Sequence, residues 1–432
     1  MPVQRNKASF SLKAEQQENI KKRMLNWSKQ FSILLLLDSN NYTDRYSRYE
    51  FLLGAGVYGF VPVAEPGELY KFHNEHKDWL FGHINYDYKN QLEPKLSSRH
   101  KAQTGFPDFF FFQPEVVCYI CTGQQELVIE TISTSPEHVF EEIMSSPVEI
   151  AHHIPKTNFA RRTEKQTYID TVNALRNHIK EGDCYEINYC NEGFAENVHI
   201  EPVPVFNALN QLSRAPFAAY YRNEQNYMMC ASPERYIRKQ GDDIISQPIK
   251  GTARRGQDET TDARIKEDLY LSIKDRAENV MITDLVRNDL ARSCETGSVE
   301  VEELFGIYTF PQVHQMISTV RGRLDKQRPF TDVLKYSFPM GSMTGAPKIK
   351  VMELIDRYED TRRELFSGTV GYITPGADFD FNVIIRSLFY NAEKERLSYQ
   401  SGGAITYDSI AESEWEEMRL KAWALERLFA GE

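Results

Sequence analysis

Apolar positions along this chain come first in short runs, then at helical spacing, then in runs again. In the first third, apolar stretches of four to seven residues at 31–37, 56–62, 109–112, 116–121 and 126–132 are separated by polar turns, and each predicts a strand. Helical spacing over 135–144 follows. The stretch 145–165 is rich in Pro, His and charge and has no period, so it marks a boundary. Beyond it, Tyr168, Val172, Leu175 and Ile179 predict a helix over 166–180 that stops at Gly182. Strands are expected at 185–189, 217–221, 227–230, 235–238 and 244–249. One long helix is expected over about 262–293, with Ile273, Ala277, Met281 and Leu285 as its apolar stripe. Strand patterns return at 312–320, 368–374, 382–390 and 397–401. A last helix over 411–429 carries Trp415, Met418, Ala422, Leu425 and Phe429, and Ser409 and Glu412 before it fit a capping box. The mixture predicts an α+β fold rather than a doubly wound sheet, with a subdomain at 1–150 packed on a core domain at 151–432.

Composition narrows the function. The chain has 432 residues, 41% of them hydrophobic, enough for a large core, and its net charge is −11. No long basic tract accompanies that charge, so nucleic acid is not an expected partner. The N-terminus lacks the apolar segment of a signal peptide, and the longest apolar run, Ile33 to Leu37, is too short to span a membrane, so a cytoplasmic protein is expected. Of six cysteines, only Cys118 and Cys121 have metal-like spacing. They lie in a strand pattern that sends them to opposite faces, so buried free thiols are expected.

Candidate chemistry gathers in the second half. Asp275 and Glu278 are three apart on one helix, and Glu414 and Glu417 are three apart on the last, with Lys421 four further on. Such spacing sets side chains next to one another, and two acidic pairs facing each other would cradle a hard cation such as Mg2+. Solvated helix faces carry the same pattern. The loop Met340-Gly-Ser342-Met-Thr344-Gly345-Ala-Pro347-Lys348 precedes a helical pattern and could offer backbone N–H groups to a carboxylate, but its spacing is not that of a nucleotide-binding loop. Arg386 ends an apolar run and suits either a carboxylate clamp or solvent. Gly402 and Gly403 would let a planar substrate approach the backbone. His314 sits within a strand pattern, where a structural role is common. Lys250, sixteen residues after Glu234, puts an amine near a potential general acid.

Together, the run Arg276–Asp289, the Gly-Ser-Met-Thr-Gly-Ala-Pro-Lys loop, Gly371-Tyr372, Ile384-Ile385-Arg386 and Glu414-Trp-Glu-Glu417-Met-Arg-Leu-Lys421 resemble the chorismate-utilising enzymes, in family order over about 166–430. Tyr86-Asp87-Tyr88-Lys89-Asn90 and Phe106-Pro107-Asp108 are similar to the matching N-terminal region. The resemblance implies an anthranilate synthase-like fold, with large antiparallel sheets packed together and flanked by helices. Pro248-Ile-Lys250-Gly251-Thr252 resembles the aminodeoxychorismate synthase branch. Anthranilate and isochorismate synthases, the alternatives, usually have Ala in place of Lys250. Glu186 stands where isochorismate synthases carry a water-activating Lys and the ammonia-using members usually carry Gln.

The resemblance further implies Mg2+ held by Glu278, Glu417, Asp275 and Glu414 against the ring carboxylate of chorismate. It implies Arg386, Tyr372 and the backbone near Gly402 on the enolpyruvyl carboxylate, with Gly251, Thr252, Ser342, Thr344, His314 and Lys421 also in the substrate site. Glu234 would protonate the departing C4 hydroxyl, and Lys250 would form a covalent intermediate at C2 that ammonia then displaces, giving 4-amino-4-deoxychorismate. The chain shows no glutaminase signature, so a separate glutamine amidotransferase subunit is the expected source of ammonia.

Overall fold

The structure, a computed structural model, describes residues 3–149 and 153–431. Two large antiparallel sheets, one of twelve strands and one of ten, carry the chain, with helices around them. The expected α+β class is observed. The expected boundary near 150 lies outside the described residues, and strands from both sides of it build both sheets. In the larger sheet, Ile33–Asp38 pairs with Phe217–Asn223; in the smaller, Leu80–Ile84 pairs with Thr369–Ile373.

The strand Ile33–Asp38 explains its own continuous apolar run. Leu35 belongs to the core between the two sheets, and Leu34 and Leu36 belong to a second core under the helices Ala14–Ser28 and Pro202–Ser213. A strand buried on both faces does not alternate polar with apolar. Cys118 and Cys121 divide the same way, Cys118 into the helix-covered core and Cys121 against the inter-sheet core; all six cysteines are free.

Four local readings give way to the structure. The long helix expected over 262–293 is two helices, Glu259–Leu271 and Ile273–Ala291. Ser272 between them is extended (φ −60°, ψ 112°), and its hydroxyl accepts the Asp275 N–H, so a serine that could sit inside a helix caps one instead. The buried stripe of the second helix runs through Asn279, Ile282, Thr283 and Val286, while Ile273 is exposed. Asp275 and Glu278, one turn before Asn279 and Ile282, therefore continue the inward face. The last helix, Ala411–Arg427, has no capping box, because the Ser409 hydroxyl donates to the Glu414 carboxylate (2.8 Å).

The strand expected at 382–390 is also divided, and this division builds the site. Phe379–Asn382 lies in the smaller sheet and Ser387–Asn391 in the larger, with Arg386 in the left-handed region (φ 52°) where the chain crosses. A second crossing joins Asn226–Ser232 in the larger sheet to Arg235–Gln240 in the smaller, through Pro233 and Glu234. The two crossings hold each other: the Ala231 N–H donates to the Arg386 carbonyl (3.2 Å) and the Val383 N–H to the Glu234 carbonyl (3.0 Å).

Candidate active site

Glu234 and Arg386 thus reach the gap between the sheets from two mutually bonded crossings. Lys250 enters it from Ile249–Arg254 of the smaller sheet, and Glu186 from the first position of Glu186–Ala195 in the larger. Lys250 Nζ donates to Glu186 Oε1, and both side chains are buried, so this ion pair ties the sheets together. The facing helix Ile273–Ala291 adds Glu278, whose Oε1 is buried with no hydrogen-bond partner.

The electrostatics follow from burial. Desolvation pushes the Glu234 carboxyl up to about 7, against the Ser342 hydroxyl, the Lys250 charge and the Ile249 N–H, which favour the anion. Desolvation likewise raises Glu278 to about 7, against the pull of Lys250. Burial alone would lower the Lys250 amine, but the carboxylates of Glu186, Glu278 and Glu234 outweigh it and hold its pKa above the usual value. Burial lowers the Arg386 guanidinium, against the attraction of Glu234.

Beside this cluster lie the other three acids of the two helical pairs. Asp275 abuts Gly251 (φ 94°), where a side chain would lie 3.1 Å from its carboxylate. Gly403, on Arg396–Ile405, faces the last helix: a β-carbon there would stand 3.2 Å from Glu414 Oε2, 3.5 Å from Glu417 Oε1 and 3.8 Å from Lys421 Nζ. Lys421 donates to the Gly402 carbonyl (2.9 Å) and pairs with Glu417 (2.7 Å), which lowers the Glu417 carboxyl, while burial raises that of Glu414. Lys274 pairs with Glu278 at 3.8 Å and feels Glu414, Glu417 and Asp275 as well. Lys274 is visible in the sequence only through its i, i+4 spacing to Glu278.

The arrangement fits a divalent cation. Carboxylates of four residues from two helices all act on the Lys274 charge, Glu278 keeps a buried oxygen with no hydrogen-bond partner, and Gly403 carries no side chain to press on Glu414 and Glu417. Among the described residues, the group whose ligand atoms all lie within 4.8 Å of one another is a different one, His178, Glu181 and Asp183, and there His178 already bonds Asp183 and Tyr358.

Not every candidate residue joins the cluster. Ser342 reaches Glu234, but the Thr344 hydroxyl turns back onto the Met340 carbonyl (3.1 Å). Thr252 is exposed. Both ring nitrogens of His314 are engaged, one with Asp262 (2.9 Å) and one with Thr309 (3.0 Å). Tyr372 pairs across the sheet with Asp380 and packs on Tyr49, Trp79 and Phe81. It lines a separate cavity of about 70 Å3 with Asp38, Arg48 and Arg235, because the strand pleat points it into the inter-sheet core.

Comparison with known proteins places this geometry. Residues 57–427 match the chorismate binding enzyme family. The chain is 30% identical over 403 residues to an anthranilate synthase component I-like protein of Synechocystis sp., covering 88% of this chain and 82% of that one. It is 39% identical over 253 residues to aminodeoxychorismate synthase component 1 of Escherichia coli, covering 59% of this chain and 55%, about half, of that protein. Anthranilate synthase component I of Streptococcus pneumoniae has the same fold, with a TM-score of 0.76, 22% identity, and 99% of this chain and 93% of that one covered.

Proposed function

The chain belongs to the chorismate binding enzyme family, and on that premise we propose that it is the chorismate-converting component of an aminodeoxychorismate synthase, replacing the C4 hydroxyl of chorismate with an amine to give 4-amino-4-deoxychorismate. The observation that carries the reading is a buried amine, Lys250, set among carboxylates and beside a second group, Glu234, whose carboxyl holds its proton up to about pH 7. A nucleophile and a proton donor together suit a displacement carried out in two steps.

In this reading Glu278, Glu417, Glu414 and Asp275 would hold Mg2+, which would supply positive charge to offset the ring carboxylate. Arg386, at the sheet crossing beside Glu234, receives the enolpyruvyl carboxylate. Glu234 donates its proton to the C4 oxygen. Lys250, once neutral, forms the bond to C2 as the C4–O bond breaks and water leaves; ammonia then adds at C4 and Lys250 departs. A glutamine amidotransferase subunit supplies the ammonia, and the site of action is the cytoplasm. Among the described residues, no helix is long and apolar enough to cross a membrane.

Incubating the chain with chorismate, Mg2+ and ammonium salt and identifying the product by chromatography and mass tests the reading. Aminodeoxychorismate with its enolpyruvyl group retained is expected. Anthranilate with released pyruvate would move the chain to the tryptophan branch, and isochorismate would show that water, not ammonia, is the nucleophile.

A further inference from the structure

The reaction so described leaves Glu186 without a task, yet Glu186 is the residue that holds the nucleophile. Its relative exposure is 1% and that of Lys250 is 8%, so bulk water has little access to the pair. Oε1 takes the hydrogen bond from Lys250 Nζ, while Oε2 is buried with no partner at all. Structural carboxylates in this protein are treated differently. Buried Glu359 accepts from Arg363 Nε (2.9 Å), Arg363 Nη2 (2.6 Å) and the Cys190 N–H (2.9 Å). A buried carboxylate oxygen with no partner is costly, and among the described residues nothing in the packing around Glu186 offsets that cost.

Lys250 has the opposite difficulty. As the ammonium partner of an ion pair it has no lone pair, and it must lose a proton before it can bond to carbon. The charges acting on it are those of Glu186 from the larger sheet, Glu278 from the helix and Glu234 from the crossing; it acts in turn on Glu417, while Lys274 acts on Glu278 and Arg386 is drawn to Glu234. Glu278 makes its ion pair with Lys274, and Glu234 must give a proton rather than take one. Among the described residues, Glu186 is the acceptor in hydrogen-bond contact with Nζ.

We infer that Glu186 is the general base that takes the ammonium proton of Lys250, an inference that rests on the reaction proposed above. The transfer converts ammonium and carboxylate into amine and carboxylic acid with no change in net charge. The amine then forms the C2–N bond as the C4–O bond breaks, the Glu234 proton leaves in water, and the bonded nitrogen becomes positive. When ammonia attacks C4, the C2–N electron pair returns to Lys250 as a neutral amine. The new product ammonium reprotonates Glu234, and Glu186 returns its proton to Lys250.

The test follows aminodeoxychorismate formation by the whole chain across pH, with chorismate, Mg2+ and ammonium salt, for wild type, Glu186→Gln and Glu186→Asp. The ratio of variant to wild-type rate cancels the ammonia supply and the Glu234 proton, which are common to both. For Glu186→Gln, which must release the Lys250 proton to solvent, the ratio should lie far below one at neutral pH and climb about tenfold per pH unit toward alkaline pH. For Glu186→Asp, which keeps a carboxylate, the ratio should be lowered but independent of pH. A flat ratio for Glu186→Gln overturns the inference; should that variant not fold, a ratio for Glu186→Asp that climbs with pH does so instead. Wild type that makes no aminodeoxychorismate under any condition defeats the functional reading first, and this inference with it.

Discussion

At the scale of single residues, Lys250 and Glu234 make separable demands. Lys250→Ala removes the amine, and aminodeoxychorismate formation should fall by at least about 100-fold while chorismate binding survives, since the proposed carboxylate contacts lie elsewhere. A variant that keeps wild-type turnover would remove Lys250 from the chemistry. Glu234→Gln should cost roughly 10²–10⁴-fold. Its pH signature is sharper. Burial holds the Glu234 carboxyl at about 7, and the acid works only when protonated. With free ammonia held constant, kcat/KM for chorismate should therefore be full below that pH and fall as pH rises through it, and the limb should vanish in Glu234→Gln. Both residues are visible in the sequence as types at a spacing. What the sequence does not show is that Lys250 is tied to Glu186, 64 residues away and in another sheet.

At the scale of elements, adjacent glycines on one strand do opposite work. A β-carbon at Gly402 would fall 2.1 Å from the Tyr189 carbonyl oxygen, into the pairing of Arg396–Ile405 with Glu186–Ala195. At Gly403 the nearest atoms it would meet are the side-chain ends of Glu414, Glu417 and Lys421, at 3.2 Å and beyond. Gly402→Ala should lower the melting temperature markedly, because backbone cannot give way. Gly403→Ala should fold normally but need several-fold more Mg2+ for half-maximal turnover. Equal Mg2+ dependence for Gly403→Ala and wild type would argue against the metal cradle. Element positions were largely legible from periodicity, as at Val116–Cys121 and Lys165–Lys180. The failures occur where tertiary contacts outvote local pattern. Ser272 breaks a helix to cap its successor, and one apolar run, 382–390, divides between two sheets at Arg386. That second failure concealed the site, because the crossing is where Arg386 meets Glu234. Tyr372 shows the same limit: its strand was expected, but not which face of the pleat it would take.

At the scale of the whole molecule, the two sheets make the N-terminal third inseparable from the rest. Removing residues 1–152 would take away Ile33–Asp38, the partner of Phe217–Asn223, and Leu80–Ile84, the partner of Thr369–Ile373. Each sheet would then present a long unpaired edge, and the core between them would lose Leu35, Leu52, Phe81 and Phe111, all buried in the intact chain. Unpaired edges beside exposed apolar surface invite pairing with other chains. A fragment beginning at 153 should therefore aggregate or elute as large species on size exclusion, and should bind no chorismate, even though every proposed catalytic and metal-holding residue lies within it. A monodisperse, chorismate-binding fragment would mean that the C-terminal part carries a complete core of its own, and that the shared strands are dispensable. The prediction turns on the Glu186–Lys250 contact. Glu186 stands on the larger sheet and Lys250 on the smaller, so their alignment depends on how the sheets pack, and part of that packing comes from residues hundreds of positions away that touch no substrate.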